Sequence, residues 1–294
     1  MQPVVTVGLD GSPESLAAAR WAADEAEKRK LTLRLLHAWP LLVPEPARVP
    51  SEVDQNYWAK RLVHTARAEL QTRHPGLLVV GSLVSDDARN ALLQAATESE
   101  MTVLGSHRLE SVESYFLGDI SLPVVARAQR PVILVRADAR QGRAGDQKPV
   151  QAAASRVVVA LKLHHSSDEL LDFAFHSAAA RGVPLLAVHG RSVPLHARLP
   201  WGVDHEVTEE LTGDARKLLD KALQPWREKY PQVEVDDSVR LDGHAKAVVH
   251  AAEGASLLVV GRSAHRHGLG AHLGHVVQAA LHHVRCPVAV VPHG

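Results

Sequence analysis

The chain repeats itself. An apolar run opens each half, VVTVGLD at 4–10 and VVVALK at 157–162, and a second follows, LRLLHAW at 33–39 and LLAVHGR at 185–191. At a spacing of 152, Asp10 pairs with Lys162, Trp21 with Phe173 and His37 with His189. Further along the spacing is 156, and Pro75 matches Pro231, Gly105 matches Gly261, Gly118 matches Gly274 and Pro131 matches Pro287. Two long segments at constant offset are hard to obtain by chance, and such an offset means one structural unit used twice. The four-residue shift falls between the second apolar run and Pro75, where a loop belongs.

Each half reads strand, helix, strand, long loop, helix, strand, helix, strand, helix, strand. In the first half the strands are VVTVGL, LTLRLLH, GLLVVGSLV, MTVLG and PVILVR. Most are short, continuous runs of Val and Leu, as parallel strands covered on both faces require. Between the first two, SPESLAAARWAADEAEKRK places Leu16, Ala19, Ala22 or Ala23, and Ala26 on one helical face. Ser12 suits an N-cap with Pro13 in the first turn, and Asp24 can pair with Lys28 across one turn on the wet side. Strands alternating with helices imply α/β domains, doubly wound, with right-handed crossovers. A length of 294 residues fits two of them. The expected domains are 1–137 and 155–294, joined by a polar, aperiodic linker over 138–154.

Composition narrows the function classes. Lys plus Arg and Asp plus Glu number 33 each, so the net charge is zero and gives no global pull toward nucleic acid or an anionic membrane. The single cysteine, Cys286, cannot form an intrachain disulfide, which suits a reducing compartment. The N-terminus shows no basic segment followed by a long apolar run, and no apolar stretch is long enough to span a bilayer. A cytoplasmic location is the expectation.

In open α/β sheets ligands sit beyond the carboxyl ends of the strands, where strand order reverses. Two segments of the first half fall there. In GLDGSPES, Asp10 ends a strand, Gly11 turns the chain, and Ser12 opens a helix whose first N–H groups favour an anion. In GSHRLESVESYFLGDIS, Gly105 ends the fourth strand and Gly118 precedes the last helix, where backbone N–H groups can cradle phosphate. Taken alone, two glycines at strand ends also read as ordinary turns.

These residues carry a resemblance. VVTVGLDGSPES, MTVLGSHR, FLGDIS with ARAQRPVILVR, LLVVGRS, and LGHVVQAALHHVRCPVAVVP together resemble a tandem universal stress protein, over nearly the whole chain apart from the linker and the long middle loops. The resemblance implies two tandem doubly wound parallel five-stranded sheets of the adenine nucleotide alpha hydrolase-like type, related as a pseudo-dimer through the last strands, PVILVR and PVAVVP. It also implies a stress-response regulator without turnover, possible homodimerisation and an unknown protein partner. ATP-binding relatives carry a G-x2-G-x9-G-[S/T] loop after the fourth strand. The implied matches are Asp10, with Gly11 and Ser12, for the acid that helps hold the adenosine, Ala38 for the adenine wall, and Gly105, Ser106, Arg108, Gly118, Asp119, Ile120 and Ser121 for the phosphates of ATP with Mg. Two positions depart from that loop. Arg108 stands at the second glycine, and Asp119 at the hydroxyl position, where a carboxylate repels a triphosphate unless a metal or Arg108 intervenes. A scaffold without a ligand is the alternative, and a weak nucleotide hydrolase using Asp10 or Asp119 to hold a metal ranks third.

The second half departs further. Lys162 replaces the acid, Ala264 the second glycine and His275 the hydroxyl residue, while Val277 stands opposite Ser121. No nucleotide is expected there, although Lys162 and His275 suit a different anion. Of 19 histidines, fifteen follow residue 150, including His265, His267, His272 and His275 in GRSAHRHGLGAHLGH. No zinc spacing appears, so no metal is expected. A milder alternative is an acid-responsive cluster that loosens the second half below about pH 6. Asp86 and Asp87 read as a solvated helix start, Cys286 as core, and Trp39, Trp58 and Trp201 as core packing ahead of contact surfaces.

Overall fold

The computed structural model describes residues 3–39, 57–108, 115–116, 118–137, 155–163, 167–192, 198–199, 202–203, 205–263 and 273–294. The chain divides into two units, Met1–Arg143 and Ala144–Gly294. The division falls inside the expected linker, whose residues 138–154 lie outside the described ones.

The first unit runs β1 (Val4–Gly8), α1 (Pro13–Arg29), β2 (Thr32–Ala38), α2 (Tyr57–Arg73), β3 (Val79–Val84), α3 (Ala88–Glu98), β4 (Met101–Arg108), β5 (Tyr115–Phe116), α4 (Ser121–Arg127) and β6 (Val132–Arg136). Its sheet order is β3-β2-β1-β4-β6 with every neighbour parallel. The two-residue β5 adds an antiparallel pairing to the end of β4. The second unit runs β7 (Val157–Ala160), α5 (Asp168–Arg181), β8 (Leu185–Gly190), β9 (Arg198–Leu199), β10 (Gly202–Val203), α6 (His205–Lys229), β11 (Val235–Arg240), α7 (His244–Ala251), β12 (Leu257–Ser263), α8 (His275–His283) and β13 (Val288–His293). Its order, β11-β8-β7-β12-β13, is the same arrangement, again parallel. Strand order therefore reverses between β1 and β4, and between β7 and β12.

The apolar runs form the central strands because both faces are covered. Val5 and Val7 of β1 and Val157, Val158 and Val159 of β7 are fully buried. Helix α1 begins at Ser12, whose extended backbone lets Oγ accept the Ser15 N–H at 3.1 Å. It ends at Lys30, the one described non-glycine residue with positive φ, whose N–H turns back to the carbonyls of Ala26 and Glu27. The buried face is Ser15, Ala18, Ala19, Ala22, Ala23, Glu25 and Ala26. Leu16 is only half-buried, because the smaller Ser15 and Ala18 take the close approach to the sheet.

Glu25 sits in that face at 1% exposure and is bound by Arg29 Nε at 2.6 Å. One repeat on, the same positions are Ser177 and Arg181, and the buried Ser177 hydroxyl donates to the Phe173 carbonyl at 2.7 Å. Asp24 meets His74 Nε2 at 3.3 Å, so a residue from beyond α2 takes the place expected of Lys28. Trp58 is 72% exposed beneath the Arg61 guanidinium, not core, because α2 turns Ala59, Val63, Ala66 and Leu70 inward. Trp39 is half-buried and stacks on His37, Cys286 is half-buried, and Trp201 lies outside the described residues. Asp87 caps α3 by accepting from the Arg89 and Asn90 N–H groups, as expected of a helix start.

Candidate functional site

The carboxyl ends of β1 and β4 define the candidate site of the first unit. Gly11 turns the chain with φ +87°, a conformation that favours glycine. The exposed Asp10 Oδ1 accepts from the Ser12 N–H at 2.9 Å and the Ser12 hydroxyl at 2.6 Å. Ser12 thus both caps α1 and fixes the Asp10 carboxylate. His37 Nδ1 lies 2.7 Å from the Leu9 carbonyl, which can only accept, so Nδ1 carries the proton and ties β2 to the turn. Ala38 ends β2 half-buried beside this anchor.

Gly105 faces α1. A Cβ there would stand 2.6 Å from the Glu14 carbonyl carbon, so the glycine is demanded by close packing of β4 on the first turn of α1. Ser106, one residue on, faces the other way; it is buried and accepts from Arg136 Nη1 at 3.3 Å. The Arg108 backbone pairs with Tyr115, and its side chain lies outside the described residues. A Cβ added at Gly118 would meet none of the described residues within 4 Å beyond its chain neighbours. Asp119 and Ile120 are exposed, and half-buried Ser121 begins α4 with no side-chain cap. Sequence reasoning missed Arg89, which joins this segment by donating from Nη2 to the Asp119 carbonyl at 3.4 Å. Its Nε is buried and finds no partner among the described residues. The available signal was a cation in the first turn of a helix, against the helix dipole.

The second unit uses the same corner differently. His189 Nδ1 lies 2.9 Å from the Leu161 carbonyl, repeating the His37 anchor and fixing the same tautomer. A cavity of about 670 Å³ opens between the ends of β7 and β12, with Lys162, Arg262, His244 and His275 among its lining residues. His244 lies edge-on to both His189 and His275, with ring centroids 6.1 and 6.0 Å apart. Desolvation, then the charges of His189, His275 and Lys162, hold His244 below its usual pKa. Burial likewise lowers Arg262, which remains cationic. Gly261 abuts side chains, His293 and Leu170, where Gly105 abuts backbone. Of the loop histidines, His275 begins α8, while His265, His267 and His272 lie outside the described residues. Among the described residues no group of three or more His, Cys, Asp or Glu is placed to hold a metal ion. None of their helices is long and apolar enough to cross a membrane.

Two copies of one doubly wound unit, each with its open corner at a strand-order reversal, define a tandem α/β repeat protein. The chain belongs to the universal stress protein family, whose family model matches residues 1–136 and again 154–292. It is 33% identical to a universal stress protein of Mycobacterium tuberculosis, covering 97% of this chain and 96% of that one. A Mycolicibacterium smegmatis universal stress protein is 29% identical, with 98% and 96% covered. The crystal structure of a universal stress protein from Archaeoglobus fulgidus has the same fold, with a TM-score of 0.71 at 16% identity over 99% of this chain and 98% of that chain.

Proposed function

We propose that the protein is a cytoplasmic stress-response regulator that binds an adenine nucleotide in its first unit and does not turn it over. The observation that carries this reading is Arg89. Its guanidinium reaches the Asp119 carbonyl at 3.4 Å and keeps a buried Nε without a partner among the described residues, a cation beside the Gly118–Asp119 backbone. A cation there offsets the Asp119 carboxylate and suits a phosphate. At the other end, Asp10 is an exposed acceptor held in place by Ser12, as a ribose diol requires. Ala38, half-buried at the end of β2, is the small side chain against which a base would pack. These groups fit ATP, and bound magnesium would supply charge neutralisation between Asp119 and the phosphates.

Native mass spectrometry of the purified chain for retained nucleotide, followed by calorimetry with ATP and magnesium, tests the reading. Asp10→Ala and Arg89→Gln should each weaken binding by roughly tenfold, equivalent to loss of one charge-assisted hydrogen bond of about 1.5 kcal/mol. Neither retained nucleotide nor binding heat at millimolar ATP would overturn it and leave the interaction module, which the exposed Asp119 carboxylate favours. ADP formation that Asp10→Ala abolishes would make the protein a hydrolase instead.

A further inference from the structure

We infer that the second unit holds a binding site of its own, for an organic anion with an apolar body and no ribose, and that this ligand enters together with a proton. The cavity at the ends of β7 and β12 is about 670 Å³, the size of a small-molecule site. Its deeper wall is apolar, from Leu161, Leu170, Val188 and Val260 among others. Lys162, Arg262, His244 and His275 supply the polar side, and none of the described residues that line it is Asp or Glu. A cavity so furnished selects a phosphate, sulfonate or carboxylate head on a hydrophobic body. Lys162 stands one repeat on from Asp10, so the first unit's acceptor for a diol is replaced by a cation.

The helix starts agree. In the first unit Asp87 closes α3 with its side chain, while α4, like α8, has no side-chain cap. In the second, α7 and α8 begin at Gly243 and Gly274, which have no side chain to accept from the first N–H groups. Their next residues, His244 and His275, stand on the cavity wall. An anion there meets two uncapped helix starts and the imidazoles together.

The proton follows from the charges around His244. It faces Lys162 from the end of β7, His189 from β8 and His275 from α8, and Arg262 and His293 share the cavity from β12 and β13. Asp168 and Glu169 of α5 are exposed and outside the wall, and Asp242, before α7, is engaged by Arg240 at 3.3 Å and His250 at 3.5 Å. His244 is thereby disfavoured as a cation while the cavity is empty. An entering anion reverses that balance, and His244 takes up a proton from solvent as the ligand binds.

The test uses the full chain and naphthalene-2-sulfonate, whose charge is constant over the range, with neutral 2-naphthol and AMP as controls. Calorimetry should show the sulfonate binding at least about threefold tighter near pH 5.8 than near pH 7.5, short of the tenfold per unit of one fully linked proton because the rim imidazoles are screened. Heats in two buffers of different ionisation enthalpy should report proton uptake. His244→Gln should abolish the pH dependence and Lys162→Glu should weaken binding at least about tenfold, while Asp10→Ala should change neither. Imidazole resonances of His244 and His275 followed by NMR in the unsubstituted chain give the same answer should a variant fail to fold. No sulfonate binding at pH 5.8, equal affinity for naphthol, pH-independent affinity, or displacement by AMP at equal concentration would each overturn the assignment. Loss of nucleotide binding in the first unit would leave it untouched.

Discussion

The two units share a strand order and a histidine anchor, yet they close the same corner with opposite charge. In the first, Asp10 ends the turn after β1, and Ser12 holds it. In the second, the equivalent residue is Lys162, and the neighbouring helices begin at glycine. What both keep is the scaffold: His37 and His189 bind the carbonyls of Leu9 and Leu161 through the same nitrogen. The difference teaches that repeat position dictates backbone, whereas side-chain chemistry at the strand ends is free to diverge.

The sharpest contrast is inside α1 and α5. Glu25→Ala leaves the Arg29 guanidinium, 7% exposed, without its carboxylate, and breaking such a buried pair costs about 3–5 kcal/mol. Ser177→Ala removes one neutral hydrogen bond and should cost about 1 kcal/mol. Urea unfolding of both variants measures the gap; equal losses would mean the units do not differ in how they fix this helix. Next in size is Gly105→Ala. Its new Cβ meets Glu14 backbone at 2.6 Å, which cannot move aside, and overpacking of this kind costs about 1–3 kcal/mol. Gly261→Ala meets the His293 ring and Leu170 side chain instead and should be milder. Gly118→Ala, whose new Cβ meets none of the described residues within 4 Å, should be nearly neutral. Smaller than the Gly105 effect but above that at Gly118 is Ser12→Ala, where loss of the cap costs about 1 kcal/mol in the melting of the first unit.

The repeat made the fold readable. Apolar runs located the five main strands of the first unit and four of the second, whereas β11, VDDSVR, has no apolar run and follows only from the repeat, and GLDGSPES already contained the turn, the carboxylate and the cap. The glycine of β4 was readable as a position but not as a cause. Its spacing suggested phosphate, and the contact with Glu14 adds a packing demand that spacing does not display. The direction of the Ser106 side chain was no more legible, because a strand's alternation turns it away from Gly105 and into a bond with Arg136. Arg89 and His244 escaped notice for a different reason. Each reaches its corner from a neighbouring helix, α3 or α7, and contacts between distant segments leave no periodic trace. The His244–His275 pair joins residues 31 positions apart in the chain.

The smallest effect separates the units by pH. His244 has its folded pKa held below the ordinary histidine value by desolvation and by His189, His275 and Lys162. In the unfolded chain the same imidazole titrates near 6.5. Below that value the unfolded state binds more protons than the folded one, so stability is fully present above about pH 6.5 and declines as pH falls toward the lowered folded pKa. Among the described residues the first unit's His37 stacks on Trp39 rather than on a second imidazole, and its melting should be the less sensitive to acid. Thermal melts of the ligand-free chain at pH 7.5 and about 5.5 should show the second unit lose more than the first. His244→Gln keeps a polar side chain without the charge and should narrow that difference. Added naphthalene-2-sulfonate should oppose the acid loss, because the anion stabilises the protonated state that the empty cavity resists. Were acid to destabilise both units equally, with or without His244, the imidazole cluster would have no part in the difference between them.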